Sequence, residues 1–136
     1  MKWNEENPAV RAGRKIHRRL KEEGHEAYWV GGCVRDAILG IDPGDIDITT
    51  SAHPEEVESL FPRTVPVGAK FGVILVIEEN VETEVATFRT EEDYLDSRHP
   101  STVRYGSARE DVIRRDFTIN ALLYEPEEDR VIDYVG

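Results

Sequence analysis

Cysteine is almost missing from this chain of 136 residues, with Cys33 as its sole representative. That excludes an intramolecular disulfide framework and any multi-cysteine zinc site, and it fits a reducing compartment. Basic charge is also short: 17 Lys and Arg stand against 28 Asp and Glu, for a formal net charge of -11. A domain that grips nucleic acid by charge alone needs a basic face, so the balance argues against that class. Long apolar runs are missing too. No stretch approaches a membrane span, and the opening MKWNEENPAV is too acidic and polar for a secretory signal. There is no repeat and no low-complexity tract. What remains, 39% hydrophobic and 33% charged residues, is the composition of one globular domain of cytoplasmic type.

Local patterning predicts a helix opened by Asn7 as N-cap and Pro8 in the first turn, and stopped by Gly24. Val10, Ile16 and Leu20 share one face. Arg11, Arg14, Lys15, Arg18, Arg19 and Lys21 crowd the others, as a solvated face or as phosphate contacts. A short strand, Ala27–Val30, ends abruptly in Gly31-Gly32, and helical spacing follows over Cys33–Leu39. After the turn Asp42-Pro43-Gly44, the stretch Asp45–Thr49 begins with strict acid–isoleucine alternation, the pattern of a half-buried strand. His53–Phe61 reads as a short helix. Strands are expected over Thr64–Val67, Gly72–Glu78 and Glu82–Arg89, the last two joined as a hairpin through Glu79-Asn80. Thr90–His99 reads as a mobile surface loop, Ala108–Asp116 as helix, and Leu122–Tyr124 and Arg130–Tyr134 as short β segments. The expected fold class is α+β, with one mixed, mainly antiparallel sheet flanked by helices. Because the sequence stops at Val135-Gly136 just after a strand, a cut from a longer protein is expected.

The chemistry concentrates in a few places. In an extended strand Asp45 and Asp47 project to one side, about 7 Å apart at their α-carbons, while Ile46 and Ile48 enter the core. Neighbouring carboxylates repel unless a cation lies between them, and hard oxygen donors suit Mg2+ or Mn2+. Such a pair can hold two metals and clamp the attacking and leaving oxygens of a phosphoryl transfer. The bland alternative is a chance pair on an exposed strand edge. Gly31 and Gly32 follow a strand and open a helix, where bare backbone lets a triphosphate approach the amides. The segment is neither a Walker A loop nor a dinucleotide fingerprint. Arg35, one turn on, has the fork geometry for phosphate oxygens, and Asp36 follows it. A third acid is wanted on a neighbouring strand. Glu82 and Glu84 share a face there, and Glu84 is the better placed, unless it is merely an exposed strand glutamate. Arg115, Asp116 and Asn120, in RRDFTIN, offer donors and acceptors suited to ribose hydroxyls and phosphates, or a helix-end salt bridge. His17, His25, His53 and His99 are scattered and read as surface or structural, and Cys33 as a small packing residue.

Gly31–Asp36, Gly44–Asp47, Glu84–Arg89 and Arg114–Ala121, in this order and spacing, closely resemble the head domain of class II CCA-adding enzymes. Bacterial poly(A) polymerases share the pattern, and both belong to the polymerase-beta-type nucleotidyltransferase superfamily. The resemblance implies that Asp45 and Asp47 are the catalytic, metal-binding pair and that Glu84 falls where a third acid is found. It implies that Gly31, Gly32, Arg35 and Asp36 cradle the triphosphate. It further implies that Arg115, Asp116 and Asn120 contact ribose and phosphates. A two-metal Mg2+ site (Mn2+ as a substitute), CTP and ATP, and a tRNA or RNA 3′ end are the implied cofactor and partners, with no membrane. Residues 1–24 would form an N-terminal helix and 25–136 the head, within a single domain. The family's neck, body and tail, which select the base and hold tRNA, would be absent. Thr90–Arg104 falls at the family's flexible loop, whose ends look more like the CCA-adding branch than the poly(A) branch. The expected function is therefore nucleotidyl transfer to the tRNA 3′ end. A poly(A) polymerase head, an enzyme that nucleotidylates a small molecule, and a nucleotide-binding module inactive in isolation remain as rivals.

Overall fold

The side chain of Asn7 accepts a hydrogen bond from the Ala9 amide and opens helix α1 (Pro8–Glu22). In the computed structural model, which describes residues 1–88, 106–113 and 122–133, this helix lies along one face of a seven-stranded sheet. The strands are β1 (Ala27–Val30), β2 (Asp47–Thr50), β3 (Thr64–Gly68), β4 (Val73–Glu78), β5 (Val81–Thr87), β6 (Leu123–Glu125) and β7 (Arg130–Ile132). Helices α2 (Gly32–Ile38), α3 (Pro54–Leu60) and α4 (Ala108–Ile113) connect or flank them. The spatial order is β3-β4-β5-β2-β1-β6-β7, and among the described residues every pairing is antiparallel except β2 with β5. The mixed, mainly antiparallel sheet expected from the sequence is therefore present.

Local chemistry explains most boundaries. Glu79 and Asn80 both take positive φ, at 51° and 68°, which gives the tight turn its fit to the right-handed twist of the β4–β5 hairpin. The expected strand over Asp45–Thr49 is shifted: β2 starts at Asp47. The reason lies in its neighbour. Val30, the last residue of β1, pairs with Asp47, and beyond it the chain turns away at Gly31, so Asp45 and Ile46 have no β1 residue left to pair with. At the C-terminal side the expected segment Leu122–Tyr124 is shifted by one residue to β6, and the expected Arg130–Tyr134 ends at Ile132 in β7, with Tyr134 outside the described residues and the turn at residues 126–129 between the two strands. The Thr90–His99 loop lies outside the described residues, as does the stretch 114–116 of the expected second-half helix.

Alternation divides the sheet into two faces. One face carries Trp29, Ile48, Ile74, Val76 and Val85, all buried beneath Val10, Ile16 and Leu20 of α1 and Val57 of α3. Burial of this apolar surface supplies the main stabilising term. Trp29 anchors it: Trp3 meets its ring edge-on at 4.9 Å, and Tyr124 lies 5.8 Å away. At Gly13 the helix comes so close that a Cβ would stand 3.0 Å from Ile46 Cγ2 and 3.2 Å from Trp29 Cζ2. The second face has a smaller cluster of Val30, Phe88, Ala108, Val112 and Leu123, and it carries the acids.

Candidate active site

Asp47 sits where β2 meets the end of β1, half-buried, with the buried Ile46 and Ile48 on either side in sequence. Its register partner on the parallel neighbour β5 is Glu84, so both acids lie on the second face, side by side across the ladder. Glu84 and Glu82 are exposed. Asp45, two residues upstream of β2, is exposed as well. The exposure sequence from Asp45 to Ile48 is open, buried, half-open, buried, which matches acids outward and isoleucines inward.

The glycine turn comes to the same place. Gly31 adopts φ +80° and ψ -137°, a backbone state that L side chains rarely reach, and this conformation lets β1 turn directly into α2. A Cβ built on Gly31 would lie 4.0 Å from Asp47 Oδ2, so the carboxylate borders the turn. Among the described residues, no side chain caps the start of α2. Arg35 folds back over it, with Nη2 only 3.2 Å from where a Gly32 Cβ would be. The same guanidinium has a long contact of 3.4 Å to Asp36 Oδ1 and stays largely exposed. Gly31, Gly32, Arg35, Asp47 and Glu84 thus share one corner of the sheet. Asp36 joins through Arg35.

Cys33, also at this corner, donates from Sγ to the Val30 carbonyl at 3.4 Å. Burial pushes its thiol up to about 11, and the nearby Asp47 charge adds to the rise. It stays a neutral packing group, as expected from the sequence, and adds no anion beside the acids. Behind Asp47, Thr49 hydroxyl meets the buried Asp111 carboxylate at 3.3 Å and ties α4 to β2. Sequence reading missed Asp111; its place in an otherwise ordinary amphipathic helix carries no local signal. Arg115, Asp116 and Asn120 lie outside the described residues.

The carboxylate chemistry fits a hard divalent cation. Among the described residues no three acidic, histidine or cysteine side chains converge on one point, so Asp45, Asp47 and Glu84 do not form a closed protein cage. The basic cluster on α1 is elsewhere and is largely neutralised internally. Arg14 pairs with Glu5 at 2.6 Å, Arg19 with Glu23 at 2.6 Å, and Lys15 with Glu79 at 3.3 Å. Two surface grooves, one beside Trp3 and Ile41 and one beside Arg18 and Phe61, do not include the acids.

Residues 27–136 match the family described as the Poly A polymerase head domain. The chain belongs to that family. This head is 52% identical over 118 residues to a CCA-adding enzyme of Bacillus cereus, covering 86% of this chain and 30% of that protein. Its fold is similar, with a TM-score of 0.80 and 42% identity, to the CCA-adding enzyme of Bacillus stearothermophilus solved in complex with CTP; the match covers 93% of this chain and 30% of that one. A tRNA nucleotidyltransferase solved with a primer tRNA and an incoming ATP analog is similar at a TM-score of 0.68 and 33% identity, over 89% of this chain and 34% of that one. The head thus spans about a third of the length of these relatives. Among its described residues, no helix is long and apolar enough to cross a membrane.

Proposed function

We propose that this chain is the catalytic head of a cytoplasmic enzyme that transfers nucleotidyl groups from CTP and ATP to the 3′ end of tRNA, completing CCA. The observation that carries the reading is the corner where the Asp47 carboxylate borders the Gly31 turn and stands in register with Glu84. The relatives named as CCA-adding enzymes, one solved with CTP and another tRNA nucleotidyltransferase with primer tRNA and an ATP analog, support the substrate class. Asp45 and Asp47 would hold Mg2+, with Glu84 beside them. Divalent ions bound there would neutralise the triphosphate and lower the cost of ionising the attacking hydroxyl.

The rest of the work belongs to the chain. The bare backbone at Gly31 and Gly32 admits the triphosphate, and Arg35, already lying over Gly32, forks onto phosphate oxygens. The RNA 3′-hydroxyl oxygen bonds to the α-phosphorus as the bond to the bridging oxygen breaks. The hydroxyl proton leaves to solvent or base, and pyrophosphate departs. Ile46 and Ile48, locked in the core, hold the acids at a fixed height above the sheet. Arg115, Asp116 and Asn120 would hold ribose and phosphates. Residues 1–24 and 25–136 act as helix and head of one unit. The family description favours a second reading, a head that adds AMP to RNA ends.

A head swap tests the proposal. With this chain replacing the corresponding head of the Bacillus cereus enzyme, labelled CTP should enter tRNA lacking its CCA end. Asp45→Ala and Asp47→Ala should each abolish incorporation without unfolding the chimera. Full activity in the double variant would overturn it, and AMP-only extension of general RNA would select the second reading.

A further inference from the structure

The acids' loop is held from behind by α1, a helix that lies before the residues matched by the family. Asn7 does two jobs with one amide. Its Oδ1 accepts from the Ala9 amide at 2.9 Å and caps α1, while Nδ2 donates to the Pro43 carbonyl at 2.7 Å and to Asp42 Oδ1 at 2.9 Å. The orientation is forced: a backbone N–H can only donate, and a carbonyl and a carboxylate only accept. Asn4 Nδ2 donates to the other Asp42 oxygen at 3.2 Å. Asp42 is thereby occupied two residues before Gly44, and the buried Pro43 carbonyl is fixed two residues before Asp45. The same helix presses its backbone at Gly13 against Ile46, the residue between the two acids. Asp45 and Ile46 precede β2 and lack β1 partners, so the loop's geometry depends on contacts of this kind.

We infer that Asn7 is a positioning residue for the Asp45–Asp47 carboxylates, joining the cap of α1 to the loop that delivers them. The inference rests on the proposed metal-binding role of that pair. A serine at position 7 still caps a helix but has no amide to reach Pro43 and Asp42. Ile16→Val, deeper on the same helix, serves as a control that loosens packing and leaves the Asn7 bonds to Pro43 and Asp42 in place.

The test uses the chain itself and two readouts: amide hydrogen exchange at residues 44–47, and Mn2+ binding followed by water-proton relaxation. Asn7→Ser should speed exchange at Asp47, whose backbone stands in the β1–β2 ladder, by about fivefold and weaken Mn2+ binding by a similar factor, the scale of losing the bond to the buried Pro43 carbonyl. Ile16→Val should change neither, even where its melting temperature falls further. Asp47→Ala should lose Mn2+ while leaving α1 and its Asn7 contacts intact. Unchanged exchange in Asn7→Ser, or an equal change in Ile16→Val, would overturn the positioning role. Equal Mn2+ binding by wild type and Asp47→Ala would instead overturn the metal-site reading, and exchange at residues 44–47 would still decide the role of Asn7.

Discussion

The two faces of the sheet are made from the same strands and have opposite characters. Under α1, Trp29, Ile48 and Val85 are sealed, and the helix backbone approaches within the reach of a single methyl group. Across the sheet, one residue along each strand, Asp47 and Glu84 stand at a corner next to a glycine turn. Alternation makes this division possible, because a strand can bury one set of side chains and present the other. The closed face supplies the rigidity on which the acidic face depends. Ile46, between the two acids, and Ile48, after them, are buried on the closed face and join the acidic segment to it.

Trp29→Ala sharpens that comparison with the largest expected stability effect. It removes the centre of the aromatic cluster and should cost about 3–5 kcal/mol, read as a lower denaturant midpoint in chemical unfolding. Gly31→Ala acts at the opposite corner. The φ of +80° imposes strain of about 1–3 kcal/mol on alanine, and it should weaken Mg2+-dependent CTP binding in addition to lowering the midpoint. A variant that loses stability but keeps full CTP binding would break the link between the turn and the site.

A smaller effect comes from the edge of the closed face. His17 is fully buried on α1, with Nε2 2.7 Å from the buried Glu125 Oε1 and Nδ1 3.5 Å from Glu127, in contacts not aligned as hydrogen bonds. Loss of solvation is the largest influence and holds His17 below its ordinary value, against the pull of the two carboxylates toward the imidazolium and with a small further push from Lys21. The unfolded chain therefore binds this proton more readily than the folded one. Stability from His17 is complete above about pH 6.5 and is lost as pH falls toward the lowered folded value. Denaturant midpoints measured between pH 7.5 and pH 5 should fall for the wild type and fall less for His17→Gln.

Much of this was legible because the signals are local. Asn7-Pro8 marks the helix start, Glu79-Asn80 marks the hairpin, and Gly31-Gly32 after an apolar run marks the turn. The acid–isoleucine alternation gave the outward and inward sides of the segment, though not the start of β2, which depends on where β1 runs out of partners. The Asp47–Glu84 register could be guessed only as a shared need for acids. It arises from a parallel pairing after the chain has gone out through α3, β3 and β4, and no neighbouring residue encodes it. His17 was harder still: its buried neighbour Glu125 comes from β6 at the far end of the sequence. The Asn7 clamp was half visible, since the cap has a local signature and the reach to Pro43 does not.

The Asp47 corner is proposed to bind a nucleoside triphosphate through divalent cations. Titration calorimetry of CTP into the chain tests it most directly, with Mg2+ or EDTA present and with Asp47→Asn beside the wild type. The wild type should bind only with Mg2+, and Asp47→Asn, folded by circular dichroism, should lose that binding. Equal binding by the two proteins, or wild-type binding indifferent to EDTA, would mean that Asp47 holds no cation for the nucleotide.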